Sequence, residues 1–256
     1  MTTLAHAKPS QAAMSDAEWR ARVDLAAVFR LVAHYRMSDL AGGFKSARVA
    51  DDPERFLLGG YGVFCEEQRA SELVKLDWRG NILDDGAHDV NATGVALSAA
   101  IFRARPDVNC IVHAHTKAAM VVGALECGLL PISQPAFNLG AQLRTSEYEF
   151  DADAAFCARF LEDLGRSRIV LMRNHGLLAA GRTAAEAFFL AFYLNQACDV
   201  QATALQTGYP LHTPPAADIE RWSRLFETSE DYEYDGSREW PGLVRLLDRL
   251  DPSYAT

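Results

Sequence analysis

The run Val108-Asn109-Cys110-Ile111-Val112-His113-Ala114-His115 constrains this chain more than any other stretch. Short, apolar and rich in β-branched residues, it reads as a β-strand. Successive side chains of a strand point to opposite faces, so His113 and His115 project from one face, with Cα atoms roughly 6–7 Å apart. That spacing lets two imidazoles grip one metal ion. A second strand, Arg168-Ile169-Val170-Leu171-Met172-Arg173, leads to His175 and can bring a third imidazole to the same point. Three imidazoles leave a coordination position open, which marks a catalytic metal site rather than a closed structural one. Cys110 shares its parity with Val112 and Ala114 and should face away from the histidines.

With 256 residues, 49% of them hydrophobic and 23% charged, the chain can bury one substantial core. No apolar run reaches the length of a membrane span, and no secretory signal opens the sequence. A net charge of −9 argues against nucleic-acid partners, because phosphate neutralisation needs a basic face. The partner expected is a small-molecule substrate. Five cysteines, at 65, 110, 127, 157 and 198, are odd in number and form no Cys-x-x-Cys pair. They fit a reducing, cytoplasmic compartment in which cysteine acts as a small hydrophobe.

Along the chain, residues 1–14 lack periodicity and read as a loose arm. Ser15 and Glu18 have capping-box spacing and start a helix to about His34 or Met37. Short strands are expected at Ser46–Val49, Arg55–Leu58, Leu73–Leu76 and Asn81–Leu83. A helix over Ala92–Arg103 precedes the histidine strand. Beyond it, Ala118–Cys127 reads as a helix, Leu129–Ile132 as a strand and Gln134-Pro135 as a loop. Asp151 is placed to cap a helix ending at Leu164, and Thr183 one that runs to about Leu205. Pro210, Pro214 and Pro215 interrupt the pattern before two further helices, Asp218–Phe226 and Pro241–Leu250. Interleaved strands and helices with short connections indicate a single α/β domain on one central sheet. The division expected is an arm at 1–14, a domain at 15–209 and a helical extension at 210–256.

Several of these segments together resemble the class II aldolase/adducin superfamily. The resemblance rests on Ala104-Arg105-Pro106-Asp107-Val108 leading into His113-Ala114-His115, and on Arg173-Asn174-His175-Gly176-Leu177-Leu178. It extends to Ala70–Lys75, Cys127–Ser133, Glu186–Phe189 and Ala197–Gln201, in the right order, from about Ala26 to about Leu205. It implies an αβα layered fold with a central mixed or antiparallel sheet. It also implies that His113, His115 and His175 hold a divalent metal, zinc first, with manganese or iron as alternatives. In the family's enzymes such a metal acts as a Lewis acid that stabilises an enediolate. A cyclic homotetramer with sites near subunit interfaces is implied as well.

Two positions depart from the family's aldolases. Where they carry an acid/base carboxylate, this chain has Gly94, a feature of the adducin-type branch, whose animal members are cytoskeletal. Where they place a Gly-Asn phosphate loop, it has Gly43-Phe44, with Lys45 following. Asp85, His88, Asp89, Glu147, Tyr148 and Glu149 are candidates to replace the carboxylate, and Arg144 is a candidate anion clamp. Three functions follow: a metal-dependent lyase working by aldol cleavage or decarboxylation, a non-catalytic assembly protein, and a metal-dependent oxygenase.

Overall fold

The computed structural model describes residues 14–49, 51–84, 88–149, 151–228 and 235–256. Seven strands form one sheet: β1 (Phe44–Val49), β2 (Asp52–Leu58), β3 (Val74–Asp77), β4 (Cys110–Ala114), β5 (Leu143–Ser146), β6 (Ile169–Met172) and β7 (Gly176–Gly181). Their order is β3-β2-β1-β4-β7-β6-β5, and every pairing is antiparallel except β5 with β6. The histidine strand β4 therefore lies at the centre of a mixed sheet.

Alternation along that strand splits the core in two. Cys110, Val112 and Ala114 point into one cluster, while Ile111 points into the other. The first cluster lies under α1 (Asp16–His34), α3 (Lys117–Gly123), α4 (Gln134–Gly140) and α6 (Ala184–Gln206). The second lies under α2 (Ala92–Ala104) and α5 (Ala154–Leu164). Helices on both faces of one sheet give the αβα layering. Among the described residues, no helix is long and apolar enough to cross a membrane.

The C-terminal residues pack into the same body. Phe137 of α4 meets Trp222 of α7 (Ala216–Thr228). Leu247 of α8 (Trp240–Leu250) and Tyr254 are buried in the first cluster. Arg30 donates to Asp251 and Ser253, each at 3.0 Å. Of the residues read as an arm, 1–13 lie outside those described.

Several local expectations are corrected. Leu129–Ile132 forms no strand; Gln201, fully buried on α6, accepts from the Leu130 N–H at 2.6 Å and donates to the Gly128 carbonyl at 2.8 Å. Gln134-Pro135 starts α4 instead of a loop, with Ser133 as cap and proline in the first turn, where no N–H is needed. Of Asn81–Leu83 only Ile82 bridges to the sheet. The helix expected over Ala118–Cys127 ends at Gly123, and Asp153 rather than Asp151 caps α5. Strand β7 contains two glycines and two alanines, poor strand formers. It is nevertheless a strand because it is fully buried between β4 and β6, where ladder hydrogen bonds are the only way to satisfy its backbone.

At Ser15 the hydroxyl accepts the Glu18 N–H as expected, but the Glu18 carboxylate turns to Arg22 and Lys75. Arg22 is fully buried, pairs with Glu18 at 2.9 Å and with Asp84 at 2.7 Å, and donates to the Leu73 carbonyl. This network ties α1 to β3. Truncating one member of a buried ion pair strands the others, so Arg22→Ala should cost about 3–5 kcal/mol in urea unfolding. Arg22→Met, which fills the volume, should cost less than the alanine variant.

Candidate metal centre

Three histidines from two chain segments meet at one end of the central strands. His113 is the fourth residue of β4, His115 lies just beyond the strand end, and His175 occupies the turn between β6 and β7. Their Nε2 atoms are 2.9 Å (His113 to His115), 3.1 Å (His115 to His175) and 3.2 Å (His113 to His175) apart. Among the described residues they form the cluster of groups able to share a metal ion. The expected Val108–His115 strand is thus shorter at both ends, and His115 reaches the site from the start of the following loop.

The backbone around each ring explains the convergence. Antiparallel pairing sets His113 opposite Leu178 and Ala114 opposite Leu177, so the β6–β7 turn sits over the end of β4. A Cβ on Gly176 would come within 2.4 Å of the Ala114 carbonyl oxygen, so this approach needs glycine. Asn174 takes the left-handed conformation, φ 53°, which asparagine tolerates better than most residues, and so turns the chain to place His175.

Hydrogen bonds fix two of the tautomers. His113 Nδ1 lies 2.9 Å from the Leu177 carbonyl oxygen and His115 Nδ1 lies 3.1 Å from Asp39 Oδ2. In the neutral rings each Nδ1 must donate to its oxygen, which leaves a bare lone pair on each Nε2. Two lone pairs facing each other across 2.9 Å repel unless a cation lies between them. Imidazole nitrogens bound tetrahedrally to zinc at about 2.0–2.1 Å stand roughly 3.3 Å apart, close to the triangle seen. The donor set fits a divalent transition metal. Burial, then the neighbouring His115 and His175, pushes the His113 imidazole well below its ordinary range. Burial, then His115, lowers His175 to about 4. Both rings are uncharged at neutral pH.

The other sequence candidates divide sharply. Tyr148 reaches the site: its ring stacks face to face on His175, with centroids 3.8 Å apart and planes 8° from parallel. Among the described residues His175 Nδ1 has no hydrogen-bond partner, so this stack takes over the orienting role. Glu149 is drawn away by Arg159, Glu147 is exposed, and among the described residues Arg144 donates only to the carbonyls of Ala141 and Leu143. His88 packs against Gly60, and the Asp89 carbonyl accepts from the Tyr61 N–H. Asp85 lies outside the described residues. Asp39, which sequence reasoning missed, supports His115; its only signal was a position five residues before Phe44.

The two departures noted in the sequence prove to be in contact. The Phe44 ring lies 5.0 Å from the His113 ring, centroid to centroid. A Cβ built on Gly94 would meet Phe44 Cβ and Cγ at 3.0 Å. Phe44 thus fills the space a side chain at 94 would need, and gives the site an apolar wall where a carboxylate would stand.

Comparison with known proteins agrees with the fold. The profile of the class II aldolase and adducin N-terminal domain matches residues 23–202. This chain belongs to that family. A Caulobacter vibrioides protein that carries only the provisional name of an aldolase class 2 protein is 38% identical over 245 residues, 94% of each chain. Beta-adducin of Rattus norvegicus is 33% identical over 90% of this chain, which spans 33% of the adducin. An aldolase II superfamily protein from Pseudomonas syringae superposes with a TM-score of 0.89 at 34% identity, covering 95% of this chain and 98% of that one. The L-fuculose 1-phosphate aldolase of Glaciozyma antarctica, at 19% identity and a TM-score of 0.80 over 96% of each chain, shares the fold.

The Phe44–Gly94 contact is testable without any ligand. Gly94→Asp should destabilise the protein by about 1–3 kcal/mol through overpacking. Combining it with Phe44→Ala should recover part of that loss. A double-mutant cycle in urea reads the coupling, and strictly additive effects would contradict the contact.

Proposed function

We propose that this chain is a metal-dependent carbon–carbon lyase that cleaves or decarboxylates a small oxygenated substrate. In this reading His113, His115 and His175 hold a divalent cation, zinc before manganese or iron. The observation that carries the reading is the close triangle of Nε2 atoms, in which the neutral His113 and His115 rings turn lone pairs toward each other. A divalent cation there supplies positive charge where negative charge develops on a substrate carbonyl oxygen.

The chain's own residues hold the ligands and shape the open side. His113 is 3% exposed and forms the floor, while His115 and His175 are half-buried and flank the approach. The Leu177 carbonyl, Asp39 and Tyr148 orient the three rings. Phe44 keeps water from one side and, with Gly94, leaves that side without a carboxylate to take a proton from carbon. Decarboxylation, which needs no such base, therefore suits the site better than aldol cleavage. Leu40 and Tyr61, 75% and 60% exposed, lie on one recess with Gly43 and Phe44, an apolar rim that a homotetramer with sites near subunit interfaces would cover. Five unpaired cysteines fit a cytoplasmic setting.

Likeness to beta-adducin supports a second reading, a non-catalytic assembly protein. Elemental analysis separates the two. The lyase reading expects roughly one transition-metal ion per chain, lost in His113→Ala and His175→Ala, and metal-dependent turnover on a panel of hydroxy- and oxo-acids. Protein that refuses zinc, manganese and iron would favour the assembly role, as would variants that lose metal but keep full biological function.

Removing a ligand's orienting partner weakens metal binding. Asp39→Asn should lower zinc affinity about 10–100-fold in a chelator competition while leaving the fold unchanged.

A further inference from the structure

On the opposite face of β1 from Phe44, Lys45 is 1% exposed. Its Nζ lies 3.5 Å from Cys65 Sγ and 5.4 Å from the centre of the Phe29 ring. Among the described residues it has no carboxylate partner, an expensive state for a buried cation. Cys65 is 4% exposed, and both residues line a recess that is open to solvent. Gln68 lines the same recess, is 1% exposed, and has a buried Oε1 with no hydrogen-bond partner among the described residues. The recess thus sets an ammonium and a thiol side by side, with an unmatched acceptor among its lining residues.

We propose that Lys45 and Cys65 form a peroxide-responsive covalent pair. Cys65 Sγ, as the thiolate, attacks one peroxide oxygen and breaks the O–O bond, giving a sulfenic acid. The departing hydroxide takes a proton from the adjacent Lys45 ammonium and leaves as water. The amine lone pair freed in this way attacks the sulfenic sulfur; the S–O bond breaks, an S–N bond forms, and the second hydroxide takes an N–H proton and leaves as water. Sulfur gives up two electrons and the peroxide accepts two. Lysine acts first as proton donor and then as nucleophile, both from one position in contact with the sulfur. The link ties β1 to the segment carrying Cys65 and Gln68, directly behind the wall that Gly43 and Phe44 present to His113. It is independent of metal binding.

The test is intact-mass analysis of the full-length folded protein after stoichiometric hydrogen peroxide, followed by tryptic mapping. Wild-type protein should lose one pair of hydrogens and yield a peptide joining Lys45 to Cys65, and dithiothreitol should reverse both changes. Lys45→Met and Lys45→Gln, which remove the buried charge at similar volume, should give no link and instead a Cys65 sulfenic acid trapped by dimedone. Cys65→Ser should give neither. Wild-type Cys65 that stays a thiol, or passes to sulfinic acid without a link, would overturn the proposal, as would equal linking in urea-unfolded protein.

Discussion

The structure depends on the antiparallel pairing of β4 with β7. It fixes three things at once: which face of the sheet His113 takes, which carbonyl receives its Nδ1–H, and where the turn carrying His175 must lie. A one-residue slip would carry every β4 side chain to the other face and send His113 into the wrong core. Burial specifies that register strongly, because β4 and β7 are buried along their whole lengths. The close approach of Gly176 to the Ala114 carbonyl adds a steric stop at the end next to the site.

Around this pairing, each histidine is held by a different kind of support. A backbone carbonyl orients His113, a half-exposed carboxylate orients His115, and an aromatic face orients His175. Exposure therefore rises from His113 to His115 and His175, in step with the change of support. The Phe44–Gly94 contact is the counterpart on the opposite side. One ring lies against His113 and fills the space a side chain at 94 would need, so Phe44 and Gly94 form a single packing unit.

The burial pattern carries the same logic through the body. Arg22 shows that polar groups are admitted inside when every partner is present, whereas Lys45 is buried with a thiol and a ring as its neighbours. The first is a structural tie between a helix and an edge strand. The second is a reactive arrangement.

The sequence by itself carried the resemblance to the family, which implied the αβα layering, while strand alternation put His113 and His115 on one face. Alternation in 110–114 and the caps at Ser15 and Thr183 are short-range physics and were legible in the chain. Strand β7 was not, since glycine and alanine become a strand only when neighbours on both sides demand their hydrogen bonds. Nor was the fate of Leu129–Ile132, which Gln201 decides from about seventy residues away. Asp39 escaped for the same reason, and Tyr148, named as a candidate acid/base, proves instead to stack on His175, a contact between segments distant in sequence. What tertiary structure alone decided is the environment of each group: which lone pairs face one another, which ring fills the space at Gly94, and which buried lysine lies against a thiol. Those depend on distances across the fold, and no local pattern in a chain encodes a distance.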